Sequence, residues 1–202
     1  MKRGAIVLCG GKSSRMGQPK ALLPFDGEIM LQRVVRLVGE AVEPNRTVVV
    51  AAAGQELPPL TGEIKVVRDK HEGQGPLEGL ARGLAALADS CDAVYATGCD
   101  VPLLVPAFIE HMFRLLGRND VVVPRDRRFY HPLAAVYRTS VLAEIRQLLT
   151  ANKRRPFFLF ENVATLEIPV DELRVADPEL ASLTNLNTPE DYHQALQKNR
   201  DR

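Results

Sequence analysis

The sequence contains few of the features that mark disulfide-rich or metal-binding proteins. Its three cysteines, Cys9, Cys91 and Cys99, form no C-x-x-C pair, and each lies in or beside an apolar run. Buried thiols are therefore favoured over disulfides or zinc ligands, and a reducing compartment is indicated. We expect a cytoplasmic protein. The four histidines form no HExxH motif or other metal-ligand spacing.

An excess of charge and a long apolar run are also missing. The chain of 202 residues has 26 Lys and Arg against 25 Asp and Glu, which gives no reason to expect nucleic acid or a membrane as a partner. No apolar run approaches the ~20 residues that a membrane helix needs. The run from Ala5 to Cys9 is followed at once by glycines and charges, so it fits a buried strand better than a signal peptide. The length fits a single domain over residues 1–202.

Short apolar runs alternate with segments of helical spacing along the whole chain. This alternation predicts an α/β fold, a Rossmann-like three-layer sandwich with a mostly parallel sheet and helices on both faces. The predicted strands are Gly4–Cys9, Thr47–Ala51, Ile64–Val67, Ala93–Thr97, Val121–Val123, Leu133–Tyr137 and Thr165–Ile168. The predicted helices are Ile29–Val42, Pro76–Ala88, Pro106–Leu116, Val141–Thr150 and one that runs from Pro189 to about Lys198 behind an N-cap at Thr188.

Ligands of such sheets lie outside the carboxyl ends of the strands, so the loop after each strand matters most. After the first strand comes LCGGKSSRMGQPK, Leu8 to Lys20. It is not a Walker A loop, because the glycine which that motif requires would stand at Ile6, in mid-strand. The G-x-G-x-x-G fingerprint fails as well, because the glycines have the wrong spacing.

This loop still has the composition of a phosphate site. Gly10 and Gly11 let backbone N–H groups approach phosphate oxygens, and Lys12, Arg15 and Lys20 can neutralise a triphosphate. The alternative is a basic surface turn that uses glycine for its geometry. Strand, glycine pair and spaced cations together favour the phosphate site.

Other predicted strand ends carry further candidate residues. Asp100, in ATGCDVPLL, directly follows a strand, where a carboxylate can hold Mg²⁺ beside the phosphates; the alternative is an Asx turn. Asp69 and the glycine-rich segment around Gly75 can line a slot for a base, or can serve packing alone. The run Lys153–Arg155 is either a solvated face or a site for a second anionic substrate.

Four segments resemble a known family, in the family's order and over residues Leu8 to Tyr192. LCGGKSSRMGQPK resembles the L-[AC]-G-G-x-[SA]-x-R-M-G-x-x-K signature of molybdenum cofactor guanylyltransferases and related MobA-like nucleotidyltransferases. EGQGPLEG resembles the GPLAG segment, GCDVPLL the CDxPFL metal motif, and TNLNTPEDY the closing NxNTPED motif. The first and last matches are specific, whereas the CD motif alone is weak.

The resemblance implies Mg²⁺-dependent transfer of GMP from GTP to the terminal phosphate of molybdopterin, with release of pyrophosphate. It also implies transient contacts with molybdoenzyme maturation proteins. Arg15, Lys20 and Asp100 would be catalytic, with Asp100 as the metal ligand. The implied nucleotide contacts are Leu8, Cys9, Gly10, Gly11, Lys20, Asp69, Gly75, Pro76, Leu77 and Asp100. Asn185 and Asn187 would face the pterin, and Arg155 would help to bind the acceptor.

Two departures from the family pattern leave substrate choice open. The run Ala51–Ala53 stands where the family often has Asn after the second strand, and Glu78 replaces the small residue of GPLAG. A related enzyme that uses CTP, a sugar phosphate or phospholactate is therefore one alternative. A nucleotide-binding protein without turnover is the other, although simple binding does not need a metal carboxylate at a strand end.

Overall fold

A computed structural model describes residues 1–10, 18–69 and 75–200 of the chain. Its strands are β1 (Arg3–Leu8), β2 (Pro24–Phe25), β3 (Glu28–Ile29), β4 (Thr47–Ala52), β5 (Lys65–Asp69), β6 (Ala93–Gly98), β7 (Val121–Arg125), β8 (Ala134–Arg138) and β9 (Thr165–Pro169). Its α-helices are α1 (Met30–Gly39), α2 (Pro76–Leu87), α3 (Pro106–Leu115), α4 (Leu142–Thr150), α5 (Phe157–Asn162) and α6 (Pro189–Arg200). Five short 3-10 segments also occur in these described residues, and one of them, Lys20–Leu22, begins with the last cation of the predicted phosphate loop.

Seven strands form one sheet in the order β5-β4-β1-β6-β8-β7-β9. β8 alone runs against its two neighbours, and the other pairings are parallel. The mostly parallel sheet is thus confirmed. Because β1 and β6 pair in parallel, their carboxyl ends lie side by side at one edge of the sheet, with Leu8 opposite Gly98.

The interior strand β1 is buried on both faces, which explains its unbroken apolar run. Ala5 and Val7 pack in one cluster with side chains of α1 and α3, whereas Ile6 and Leu8 pack in a second cluster with side chains of α2, α4 and α5. This alternation is the period-2 geometry of a strand. Helices therefore cover both faces, and the predicted three-layer sandwich is confirmed.

Helix α2 lies unusually close to β1. A Cβ added at Gly83 would stand 2.6 Å from Ile6, and one added at Gly79 would stand 3.2 Å from Leu8. The glycines of this segment thus serve packing as well as any ligand. Gly75, just before the helix, has φ +84°, a conformation that favours glycine.

The first predicted helix begins one residue later and ends earlier than expected. Ile29 pairs with Pro24 in a short antiparallel hairpin, so the helix starts at Met30. The turn of this hairpin is Asp26–Gly27, and both residues have positive φ (51° and 80°). An Asp-Gly pair between apolar residues is a hairpin signal that the helical spacing concealed.

Helix α6 is capped as predicted. The backbone N–H of Asp191 donates to Oγ1 of Thr188 at 3.2 Å, and a carboxylate oxygen of Asp191 accepts from the N–H of Thr188 at 2.9 Å. The helix buries Ala195 in a small cluster with Phe25, Met30 and other apolar residues. Within the described part of the chain, no helix has the length and apolar content to cross a membrane.

Candidate active site at the carboxyl edge of the sheet

The carboxyl ends of β1 and β6 bring the two main sequence motifs together. Beyond the strand ends, the N–H of Cys99 donates to the carbonyl of Leu8 at 3.0 Å, and the N–H of Cys9 donates to that of Val50 at 2.8 Å. Gly10 is exposed at this edge, and no atom of the described residues lies within 4 Å of the position that a Cβ would take. The start of the predicted phosphate loop therefore lies next to the segment that carries Asp100. Gly11 and Arg15 lie outside the described residues.

Lys20, Asp100 and Asn187 meet at this edge. Nζ of Lys20 lies 2.8 Å from Oδ2 of Asp100 and 2.8 Å from Oδ1 of Asn187. The side chains of Lys20 and Asp100 are only 17% and 16% exposed, so this ion pair is shielded from bulk water more than a surface pair. Three residues from three predicted motifs, up to 167 positions apart, thus share one point.

The backbone around Asp100 is shaped for its carboxylate. A Cβ added at Gly98 would stand 2.5 Å from Oδ1 of Asp100. Among the described residues no other atom lies that close to the position, and Gly98 does not have positive φ. Glycine is therefore needed at position 98 because a larger side chain would collide with the carboxylate, and not because of the backbone conformation.

A divalent cation fits this arrangement by the chemistry of its donors. Within residues 1–10, 18–69 and 75–200 no three His, Cys, Asp or Glu side chains are grouped so that they could hold a metal by themselves. Mg²⁺ is usually held by one or two carboxylates together with substrate phosphates, which is what Asp100 beside a phosphate loop would offer. The ammonium of Lys20 already places a positive charge on one oxygen of Asp100.

The segment before α6 is fixed against the site from both sides. The N–H of Leu186, a fully buried residue, donates to the carbonyl of Asp100 at 2.9 Å. The N–H of Asn187 donates to a carboxylate oxygen of Asp191 at 3.0 Å. The backbone N–H groups of Asn187 and Thr188 lower the pKa of Asp191 despite some desolvation. Asn187 therefore reaches Lys20 from a well-anchored backbone.

The start of α2 forms the other side of this edge. Pro76 stands at the first helical position after Gly75, and Leu77 is fully buried in the core. Any contact that Leu77 makes with a base is therefore a backbone contact. Nε of Arg82 lies 3.2 Å from Oε1 of Glu78, so the carboxylate that departs from the family pattern is paired within its own helix.

The remaining predicted acceptor residues lie in two places. A Cβ at Gly75 would stand 3.4 Å from the carbonyl of Arg154, so the basic run that contains Arg155 borders the start of α2. Arg155 itself is exposed. Asn185 is exposed near the Lys20 side, and no hydrogen bond of its side chain to the described residues is seen. Asp69 lies at the end of the edge strand β5, opposite Ala52.

One polar residue at this edge was missed by the sequence analysis. Gln55 donates from Nε2 to the carbonyl of Cys9 at 3.0 Å, and its Oε1 accepts from the N–H of Ala52 at 3.0 Å. Its amide thus ties the turn after β4 to the first residue after β1. The apparent loss of an Asn in the run Ala51–Ala53 was the signal that could have directed attention to the next amide along the chain.

Cys9 and Cys99 lie side by side in the core just below this edge, and both thiols are reduced. A hydrogen bond with Cys99 and burial raise the pKa of Cys9 well above its ordinary value. A protonated thiol is a weak nucleophile, so the geometry gives Cys9 no role in covalent catalysis. The expectation of buried, unpaired thiols is confirmed.

Known proteins resemble this chain over most of its length. Residues 5–165 match the model of the MobA-like NTP transferase domain. A Mycobacterium marinum protein named "Probable molybdenum cofactor guanylyltransferase" is 38% identical over 192 residues, or 92% of this chain and 89% of that protein. A Mycobacterium tuberculosis protein of the same name is 35% identical over 200 residues, or 96% and 94%.

Solved structures agree with this match. Molybdopterin-guanine dinucleotide biosynthesis protein A from Archaeoglobus fulgidus aligns over 100% of both chains, with a TM-score of 0.77 and 25% identity. A 4-diphosphocytidyl-2C-methyl-D-erythritol synthase from Anaerococcus prevotii aligns over 98% of this chain and 96% of that one, with a TM-score of 0.71 at 14% identity, which shows a shared fold alone. The chain belongs to the MobA-like NTP transferase family, and it is a nucleotidyltransferase.

Proposed function

We propose that this protein transfers GMP from GTP to the terminal phosphate of molybdopterin, with Mg²⁺ as cofactor and pyrophosphate as the second product. The observation that carries the proposal is the meeting of Lys20 and Asp100, at 2.8 Å, beside the loop that follows β1. A cation and a metal-binding carboxylate at one point suit the charge of a triphosphate. The choice of GTP and molybdopterin rests on the names of the relatives at 35–38% identity.

Asp100 is the residue that would hold Mg²⁺. Its Oδ1 lies where a side chain at position 98 would begin, and its Oδ2 forms an ion pair with the ammonium of Lys20. When bound, Mg²⁺ would neutralise charge on the phosphates and polarise the phosphoryl group under attack. Lys20 would supply a second positive charge beside the triphosphate.

The reaction forms one bond and breaks one. An oxygen of the acceptor phosphate bonds to the α-phosphorus of GTP, and the bond from that phosphorus to the bridging oxygen of pyrophosphate breaks. The acceptor phosphate is ionised at neutral pH, so no residue has to act as a general base. The task of the protein is to align the two phosphates and to neutralise the developing charge. Arg15 and the amides of Gly10 and Gly11 remain predicted contributors to that charge neutralisation.

The nucleoside and the acceptor would lie along the same edge of the sheet. Leu8 and Cys9 at the end of β1, Gly75 and Pro76 at the start of α2, and Asp69 at the end of β5 would border the nucleoside. The acceptor would contact Asn185 and the basic run that ends at Arg155, which borders the start of α2. With Glu78 held by Arg82, base selection would depend on backbone groups of the α2 start.

The decisive experiment identifies the products. The protein is incubated with Mg²⁺, each of the four NTPs in turn, and molybdopterin or its molybdenum-loaded form, and pyrophosphate release and product mass are measured. The proposal requires a guanine dinucleotide from GTP and much slower reaction with the other NTPs. A cytosine dinucleotide, or turnover only with a sugar phosphate or phospholactate, would assign the site to a related nucleotidyltransferase instead.

Substitution of Lys20 tests the site within the same assay. Lys20→Ala removes a cation that acts on the phosphates, and we expect a loss of about two to three decades in kcat/KM. Lys198→Ala is the matched control, because Lys198 is exposed on α6 and its substitution also removes one positive charge. Near-normal GMP transfer by Lys20→Ala would contradict the assignment of Lys20.

A further inference from the structure

The side chain of Asn187 has its oxygen, not its nitrogen, toward the centre of the site. Nζ of Lys20 donates to Oδ1 of Asn187 at 2.8 Å. An ammonium group has donors only, so the amide must present its acceptor to it. The family resemblance instead places Asn187 against the pterin, where an anionic phosphate would call for the amide NH₂ group. The observed contact and that role use opposite ends of the same amide.

The geometry points to Asn187 as a positioning residue for Lys20, a role that rests on the proposed function and deepens it. Lys20 shares its ammonium between Asp100 and Asn187. A doubly charged metal competes for the carboxylate of Asp100 far better than it competes for a neutral amide. When Asp100 is engaged by the metal–nucleotide complex, Asn187 therefore keeps its hold on Lys20 and keeps the ammonium at the phosphates.

The backbone of Asn187 suits it to this task. The preceding residue, Leu186, is fully buried and is hydrogen-bonded to the carbonyl of Asp100 at 2.9 Å. The N–H of Asn187 itself is held by Asp191 at 3.0 Å. The amide is thus placed relative to the metal-binding residue and not to a loop that can move independently. Such support decides whether a catalytic group stays within a fraction of an ångström of its working position.

Two substitutions of Asn187 separate the two roles. Asn187→Ala removes the oxygen that accepts the hydrogen bond of Lys20. We expect kcat to fall about 10- to 100-fold, which is the usual effect of losing a hydrogen bond to a charged group. The KM of the pterin substrate should change little. Asn187→Asp retains an oxygen for Lys20, so it should restore a large part of kcat. It would also repel an anionic acceptor that lay against Asn187.

A double-mutant cycle tests whether Asn187 acts through Lys20. In a Lys20→Ala background the further change Asn187→Ala should have almost no effect on kcat, because the group it positions is already absent. The same cycle can be measured without turnover as the free energy of GTP binding in the presence of Mg²⁺, determined by titration calorimetry. Asn45→Ala and Asn45→Asp are matched controls at an exposed asparagine before β4, and we expect both to match the parent protein.

The outcomes that would overturn the inference are specific. Asn187→Asp with kcat at or below that of Asn187→Ala and a raised acceptor KM would show direct contact with the acceptor. Additive effects of the two substitutions in the cycle would show that Asn187 does not act through Lys20. If the parent protein forms no guanine dinucleotide, the proposed function fails by itself, whereas the calorimetric cycle still accepts or rejects the link between Asn187 and Lys20.

Discussion

Gly98→Ala is the perturbation that separates the chemistry of this site from its stability. The added methyl carbon would stand 2.5 Å from Oδ1 of Asp100, and the next nearest atoms are 3.6 and 3.9 Å away and belong to the same residue. Gly98 lies at the end of β6 without positive φ, so the backbone itself accepts alanine. The conflict is therefore confined to the carboxylate that is proposed to hold the metal.

The size of the effect follows from the displacement. An ordinary contact of a Cβ with its neighbours begins at 3.4 Å, so the carboxylate oxygen has to move by 3.4 minus 2.5, or about 0.9 Å. A misplacement of about 1 Å in an active site costs roughly 100-fold in rate, or about 2.7 kcal/mol. The movement also disturbs the ion pair of Asp100 with Lys20, so both charges of the site are affected.

Two other glycines provide controls. Gly83→Ala would place its Cβ 2.6 Å from Ile6 in the core, so it should lower the stability by about 1–3 kcal/mol and the Tm by several degrees while kcat stays near that of the parent. At Gly39 no atom of the described residues lies within 4 Å of the carbon that Gly39→Ala would add, so this substitution should lower neither the Tm nor kcat. All variants are compared by thermal melting and by pyrophosphate release as a function of Mg²⁺ concentration.

Gly98→Ala with the parental rate, the parental Mg²⁺ dependence and an unchanged Tm would refute this prediction. That result would mean that the carboxylate of Asp100 can move by about 0.9 Å without consequence, and hence that its position is not used in the reaction. A loss of rate that only accompanies a large fall in Tm, as expected for Gly83→Ala, would equally remove the support for a carboxylate-specific effect.

Three further predictions concern stability and thiol chemistry. Thr47→Val should stabilise the protein by up to about 1 kcal/mol in urea unfolding, because the buried hydroxyl of Thr47 has no hydrogen-bond partner among the described residues. Cys9, whose thiol pKa is raised, should resist alkylation by iodoacetamide at pH 8 in the native protein and react in urea; rapid native labelling would contradict its described environment. Folding lowers the pKa of Asp191, so the ionised carboxylate stabilises the folded protein above the unfolded pKa of about 4. This contribution is lost as the pH falls through the lower pKa of the folded state. Asp191→Asn should therefore make the free energy of unfolding depend less steeply on pH in the acid range.

The parts of the fold that could be predicted from the sequence are those where one local signal dominates. The buried run of β1 and the Thr188 cap of α6 have no strong competitor, and both are present as expected. The short hairpin before α1 was hidden, because the apolar spacing from Ile29 onward looks helical whether or not the first residue pairs with Pro24. Pairing with a neighbour can override such spacing, and spacing alone does not show it.

The candidate site follows the same rule. Asp100 could be named because it directly follows a strand of a parallel sheet, and Lys20 because the loop after β1 combines a glycine pair with spaced cations. The contact of Lys20 with Asn187 could not be predicted, because the two residues are 167 positions apart in sequence and their contact depends on how α6 packs. The role of Gln55 was missed for a similar reason, since its amide bridges two strands that the sequence does not show to be adjacent.

The C-terminal helix completes the site although the matched family region ends at residue 165. The hydroxyl of Tyr192 donates to the carbonyl of Pro24, and the guanidinium of Arg33 donates to Asn199 at 2.7 Å, so α6 is bound to the hairpin and to α1. These elements directly follow the turn that carries Lys20. The same packing that fixes α6 therefore also sets the distance between Lys20 and Asn187. The unpredicted hairpin at Asp26–Gly27 thus contributes to the geometry of the candidate site, because α6 packs against it.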